Sequence, residues 1–161
     1  MTNLSAQFVM YEDEVRRIQS VADRLQQDSR ARAILVIDKN GQLIAASGHE
    51  ELDTTSLSSL VAGNVAATGG IAKLIEEDEF TGQFHEGKGI SVNMTIVGRR
   101  VILVVLFDKN TTHGLVRLRV KKASTELEAV LEDVAKKAQS PQQPSVFAEI
   151  TDADIDNLFN D

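Results

Sequence analysis

The side chains with catalytic potential in this 161-residue chain are three histidines, His49, His85 and His113, and a scatter of Ser and Asp. The histidines stand far apart, without the paired spacing that two ligands on one metal-binding helix require. His85-Glu86 has the composition of a proton-transfer pair but reads better as a polar pair at a strand edge. Gly87-Lys88-Gly89 is too short a match to count as a dinucleotide motif, and no phosphate-binding GxxxxGK[ST] loop occurs. No local signature sets a nucleophile beside a base. The expectation is a protein with no metal, no cofactor and no reaction of its own. Arg117, Arg119, Lys121 and Lys122 form one basic cluster, which reads as a solvated helix start, with a partner contact as the alternative.

The segment that stands out carries no chemistry at all. Asp53 to Ile75, DTTSLSSLVAGNVAATGGIAKLI, has Leu57, Leu60, Val61, Asn64, Val65, Thr68, Ile71, Ala72 and Ile75 at helical spacing, an amphipathic pattern capped by Asp53 or Thr54. The rest of the helix is nearly all Ser, Ala and Gly: Ser58, Ala62, Ala66, Gly69 and Gly70, with Ser59, Gly63 and Ala67 beside them. A solvated helix face normally carries Lys, Glu and Arg. Each Gly inside a helix costs roughly 1 kcal/mol relative to Ala, so three of them imply that smallness serves something other than helix stability. Close approach of another backbone is the candidate, either from within the same fold or from another molecule.

Length and composition set the frame for this helix. The chain is long enough for one domain with a real core, and 42% apolar with 25% charged residues describes a globular protein. Cysteine is absent, which excludes disulfides and thiolate metal sites. No apolar run reaches the length of a membrane span and no signal pattern opens the chain, so a cytoplasmic location is expected. Of the formal charge of −7, the tail residues Glu149, Asp152, Asp154, Asp156 and Asp161 supply five, leaving −2 on residues 1–140. A nearly neutral body argues against nucleic-acid binding, which needs a basic surface to displace phosphate counterions.

The periodicity predicts a first helix over 11–28 on Tyr11, Val15, Ile18, Ala22 and Leu25. Two strands follow, Ala33–Ile37 and Leu43–Ala46, with Asn40-Gly41 as a hairpin turn in which both residues tolerate positive φ. After the small-faced helix come a short strand near 83–86, then Ser91–Val97 and Arg100–Phe107 turned at Gly98-Arg99. The continuously apolar Val101–Phe107 suits a central strand buried on both faces. Val116, Val120, Ala123, Leu127, Val130, Leu131 and Val134 give a last long helix. The class is α+β in the order α-β-β-α-β-β-β-α, a five-stranded antiparallel sheet between helices. The first and last helices cover one face. The middle helix, alone on the other, leaves part of it for a two-fold mate.

Residues 1–139 form the domain and 140–146, with Pro141 and Pro144, a linker. Residues 147–161 read as an acidic short-helix motif: Thr151 and Asp154 resemble a cap-and-acid start, Ile150 and Ile155 a hydrophobic staple, and Leu158 and Phe159 extend the apolar side. A helix this short folds only when that side meets a groove. Docking onto its own domain and docking onto a partner both remain open.

The element order, NVAATGGIAKLI, SVNMTIVGRRVILVVLFD and GLVRLRVKKASTEL together resemble the roadblock/dynein light chain family of small dimeric adaptors, whose fold is profilin-like. The likeness runs from about Met10 to the end and includes KNGQLI, FHEG and FAEITDADIDNLFND. It implies a homodimer with two middle helices antiparallel and side by side, forming a platform for one Ras-like small GTPase. It further implies stimulation of GTP hydrolysis on that partner without an inserted arginine, in control of cell polarity and motility, at a cell pole. A scaffold that binds without activating is the alternative. The resemblance places the docking face on Ala62, Gly63, Ala66, Ala67, Gly69, Gly70 and Lys73. A second contact falls on Ile150, Ile155, Leu158 and Phe159. Arg99 and Arg100 on the hairpin tip are the conspicuous arginine-finger candidates, and that role is the disfavoured one.

Overall fold

The computed structural model describes residues 12–139. Tyr11, the linker and the terminal motif with Ile150, Ile155, Leu158 and Phe159 lie outside the described residues. The elements are α1 (Glu12–Ser29), β1 (Ala33–Asp38), β2 (Leu43–Ser47), α2 (Thr54–Leu74), β3 (Gly82–His85), β4 (Ser91–Val97), β5 (Val101–Phe107) and α3 (His113–Gln139). Their order is the one that the sequence predicts, and all strand pairings are antiparallel in the order β2-β1-β5-β4-β3.

Strand β5 sits at the centre, paired with β1 on one side and β4 on the other, and every residue of VILVVLF is buried. Side chains alternate across a strand, so a strand covered on both faces is apolar throughout. Val101, Leu103, Val105 and Phe107 enter one core with Ile18, Leu25, Val116 and Leu127 from α1 and α3. Ile102, Val104 and Leu106 enter the opposite core with Leu35, Ile37, Val61 and Val65. Helices α1 and α3 also meet each other through Arg17–Asp133 at 2.6 Å, Arg24–Glu126 at 2.8 Å and the buried Glu14 with Lys137 at 2.5 Å.

The first hairpin departs from the turn that the sequence suggests, and the second keeps it. At the first, Gly41 has φ +92° but Asn40 does not enter the left-handed region. Asp38 organises the loop instead: its Oδ1 accepts from Asn40 N at 2.9 Å and Gln42 N at 3.0 Å, and the β1–β2 register shifts between Val36 and Ile37. An Asx-type loop with a bulge thus replaces the two-residue Asn-Gly turn. At the second, Gly98 and Arg99 have φ +60° and +59° and Arg100 N donates to Val97 O at 3.2 Å, the geometry of a type I′ turn.

Candidate functional site

Asp53 caps α2: its carboxylate accepts from Ser56 N at 3.1 Å and from the Ser56 hydroxyl at 2.7 Å. The Ser56 hydroxyl and then the Ser56 amide hold the Asp53 carboxyl below the usual carboxylate range. From there the helix runs along the sheet face opposite α1 and α3. Its first half lies against the β1–β2 loop, where Gly41 abuts Ser58, Ser59 and Ala62. Further along, Gln83 Nε2 on β3 donates to Thr68 Oγ1 at 2.8 Å. The buried side consists of Ser58, Val61, Ala62, Val65 and Ala72.

The outer side is bare. Gly63, Ala66, Ala67, Gly70 and Lys73 are exposed and Gly69 is half-buried. A Cβ built on Gly63, Gly69 or Gly70 would meet nothing within 4 Å, and none of the three has a positive φ. Neither packing among the described residues nor backbone conformation therefore demands glycine at these positions. Of the two readings that the sequence leaves open, cover by another element of the same fold finds no such element among the described residues. Ala62 is the exception among the expected face residues: it turns inward onto the Gly41 loop, as does Ser58.

A second correction concerns the apolar stripe. Leu60 and Ile71, expected to pack on the sheet, are 72% and 54% exposed, and Leu74 and Ile75 are 86% and 60% exposed. The sequence periodicity merges two stripes: Val61, Val65 and Ala72 face the sheet, and Leu60, Ile71 and Leu74 lie along the flank. Asn64 belongs to the same flank, and its Oδ1 is shielded from solvent with no hydrogen-bond partner. On the adjoining edge, β3 pairs with β4 on one side and with no strand on the other among the described residues, and Phe84 and Ile90 are exposed. The spacing 57, 60, 64, 67, 71, 74 within α2 is the signal that separates the flank from the buried stripe.

The remaining chemistry-bearing residues stay apart. His85 Nε2 approaches Gln83 Oε1 at 3.5 Å, and His113 stacks on Phe84 with ring centroids 3.8 Å apart. No group of three His, Asp or Glu that could hold a metal occurs among the described residues. Arg99 and Arg100 are exposed on a hairpin whose Gly98 abuts Leu131 of α3, on the side of the sheet away from α2. No helix among the described residues is long and apolar enough to cross a membrane.

This arrangement can be set beside known proteins. Myxococcus xanthus MglB is 58% identical, with a TM-score of 0.75 over 78% of this chain and 96% of that one. The gliding protein MglB from Thermus thermophilus is 31% identical, with a TM-score of 0.72 over the same shares. A structure described as MglB with tetrameric arrangement is 29% identical, with a TM-score of 0.73 and again the same shares. The fold extends to Acanthamoeba castellanii profilin IB, 15% identical with a TM-score of 0.55 over 69% of this chain and 96% of that one. The Roadblock/LC7 domain model matches residues 17–107. With its five-stranded sheet, its two unequal faces and this likeness in sequence, the chain belongs to the Roadblock/LC7 domain family.

Proposed function

We propose that this chain is a homodimeric regulator of a Ras-like small GTPase of the MglA type and stimulates GTP hydrolysis on that partner. The observation that carries the reading is the outer side of α2, where glycine stands at positions 63, 69 and 70 although nothing among the described residues requires it, with the exposed Ala66 and Ala67 beside it. A surface without protruding side chains lets a partner backbone approach closely. The 58% identity with an MglB supports the choice of partner, and the likeness to a gliding protein supports a role in motility and cell polarity.

In this reading two α2 helices lie antiparallel along their exposed flanks, and the GTPase sits on the platform formed by Gly63, Ala66, Ala67, Gly69, Gly70 and Lys73. Docking favours the GTPase conformation in which its own catalytic groups and the attacking water are aligned, so the protein contributes differential stabilisation of one state. It performs no chemical step itself. In this reading Arg99 and Arg100 supply no finger, which the contact of their hairpin's Gly98 with Leu131 of α3 supports. The terminal motif 147–161, tethered through 140–146, makes a second contact that raises the effective concentration at the first. The assembly acts in the cytoplasm at a cell pole.

Single-turnover GTP hydrolysis by the Ras-like GTPase of the same organism, with and without saturating protein, tests this. Acceleration is expected; unchanged hydrolysis despite demonstrated binding would make the protein a scaffold. Deleting residues 146–161 should weaken binding while leaving the dimer intact.

A further inference from the structure

Asn64 occupies the midpoint of α2, equidistant from Thr54 and Leu74, on the flank that carries Leu57, Leu60, Ile71 and Leu74, with Ile75 just past the end of the helix. Its Oδ1 is closed off from solvent without a partner. Nearby donors are committed, since the Thr68 hydroxyl donates to its own helix at Asn64 O and Val65 O, 3.0 and 3.1 Å away, and Gln83 donates to Thr68. A buried carbonyl left unpaired is costly, so the carboxamide gains by turning about its last torsion toward a cover that supplies both a donor and an acceptor.

The flank is also self-complementary. In an isologous pair of antiparallel helices centred on Asn64, Leu57 meets the partner copy's Ile71, Leu60 meets the partner copy's Thr68, and Asn64 meets itself. Resting on the homodimer reading above, we infer that the Asn64 carboxamides of two copies hydrogen-bond to each other across the two-fold axis and fix the register of the α2 pair. The competing register, centred between Ala67 and Thr68, would bring Leu60 onto Ile75 and bury more apolar surface. It would also set Asn64 against Ile71 and orphan its carbonyl. Asn64 thus selects one alignment at some cost in association strength, as single buried polar residues do in paired helices. The alignment matters because it decides which Ala and Gly positions of the two helices form one continuous platform.

The full chain lacks cysteine, so introduced thiols report unambiguously. The double variant Leu57→Cys with Ile71→Cys cannot close within one helix, where the positions lie about 21 Å apart at 1.5 Å per residue. It should therefore cross-link between copies on oxidation, whereas Ala67→Cys should not. Adding Asn64→Leu to Ala67→Cys should preserve dimers in sedimentation and raise Ala67→Cys cross-linking about tenfold, because the alternative register is no longer penalised. A wild-type dimer in which Ala67→Cys cross-links readily and the 57/71 pair does not would overturn the role of Asn64 and leave the homodimer standing. So would an Asn64→Leu dimer with unchanged cross-linking. A wild-type chain that sediments as a monomer would overturn the homodimer reading, and the inference with it.

Discussion

The two faces of the sheet solve the same problem in different ways. On one, α1 and α3 lie side by side, bury the odd-numbered residues of β5 beneath them and link to each other through ion pairs. On the other, α2 alone among the described residues covers the even-numbered ones, exposes Leu60, Ile71 and Leu74 along its flank and turns bare glycines outward. The first face holds its solution within the described fold. The second leaves that flank and those glycines uncovered among the described residues, and under the proposed function substitutions on the two faces should fail in different assays.

The largest effect is expected on the closed face. Leu127, fully buried, should cost about 2–5 kcal/mol of unfolding free energy in denaturant titration when replaced by Ala. Below its shifted melting temperature, Leu127→Ala should bind the GTPase as the wild type does. Next, Ala66→Arg with Gly70→Arg puts two long charged side chains where space is free, so the fold and dimer should survive. GTPase binding should weaken by at least about thirtyfold, the equivalent of roughly 2 kcal/mol at a docking hot spot. A double variant that binds at full affinity would remove the open face from the proposal.

A smaller effect should follow pH, and on the closed face. The Lys137 ammonium beside Glu14 and the Arg17 guanidinium beside Asp133 hold both carboxyls below their usual range. Groups with lowered folded-state values contribute stability above the ordinary carboxylate range and lose it as the pH falls through the folded values. Acid titration followed by circular dichroism should show the Lys137→Met chain losing part of this acid-dependent increment. The partial exposure of Asp133 and Arg17 keeps the contribution of that pair small. The smallest change per site runs in the opposite direction: Gly63→Ala with Gly69→Ala should raise the unfolding free energy in denaturant titration by up to about 1 kcal/mol per site, because no neighbour objects to either methyl. If the open face is a docking surface, the same pair should weaken GTPase binding.

The closed face is legible in the sequence because periodicity and burial coincide there. In α3, Val116, Val120, Leu127, Val130 and Val134 are buried at the spacing that the sequence displays. The open face is only half legible. Its smallness stands out in the sequence, but apolar side chains record only that they avoid water, not which surface removes them from it. Leu60 and Val61 look alike in sequence, yet Val61 faces a core within the chain and Leu60 is exposed. Ala62 departs from the expected face for a related reason: an Ala satisfies both a bare surface and the tight approach of the Gly41 loop. The hairpins show a third limit, since Asn40-Gly41 has the stronger turn composition, but the Asp38 carboxylate captures two amides and decides the loop.

The glycines of α2 have a consequence in time as well as space. Gly63, Gly69 and Gly70 place three of the least helix-committed residues within one 21-residue helix, with their outer side open to solvent. The amides of its middle turns should exchange with deuterium sooner than those of β5 or α3, through brief local openings of a segment with few packing contacts to resist them. Binding at that surface would then register as a slowing of exchange, making α2 the natural clock of its own occupancy.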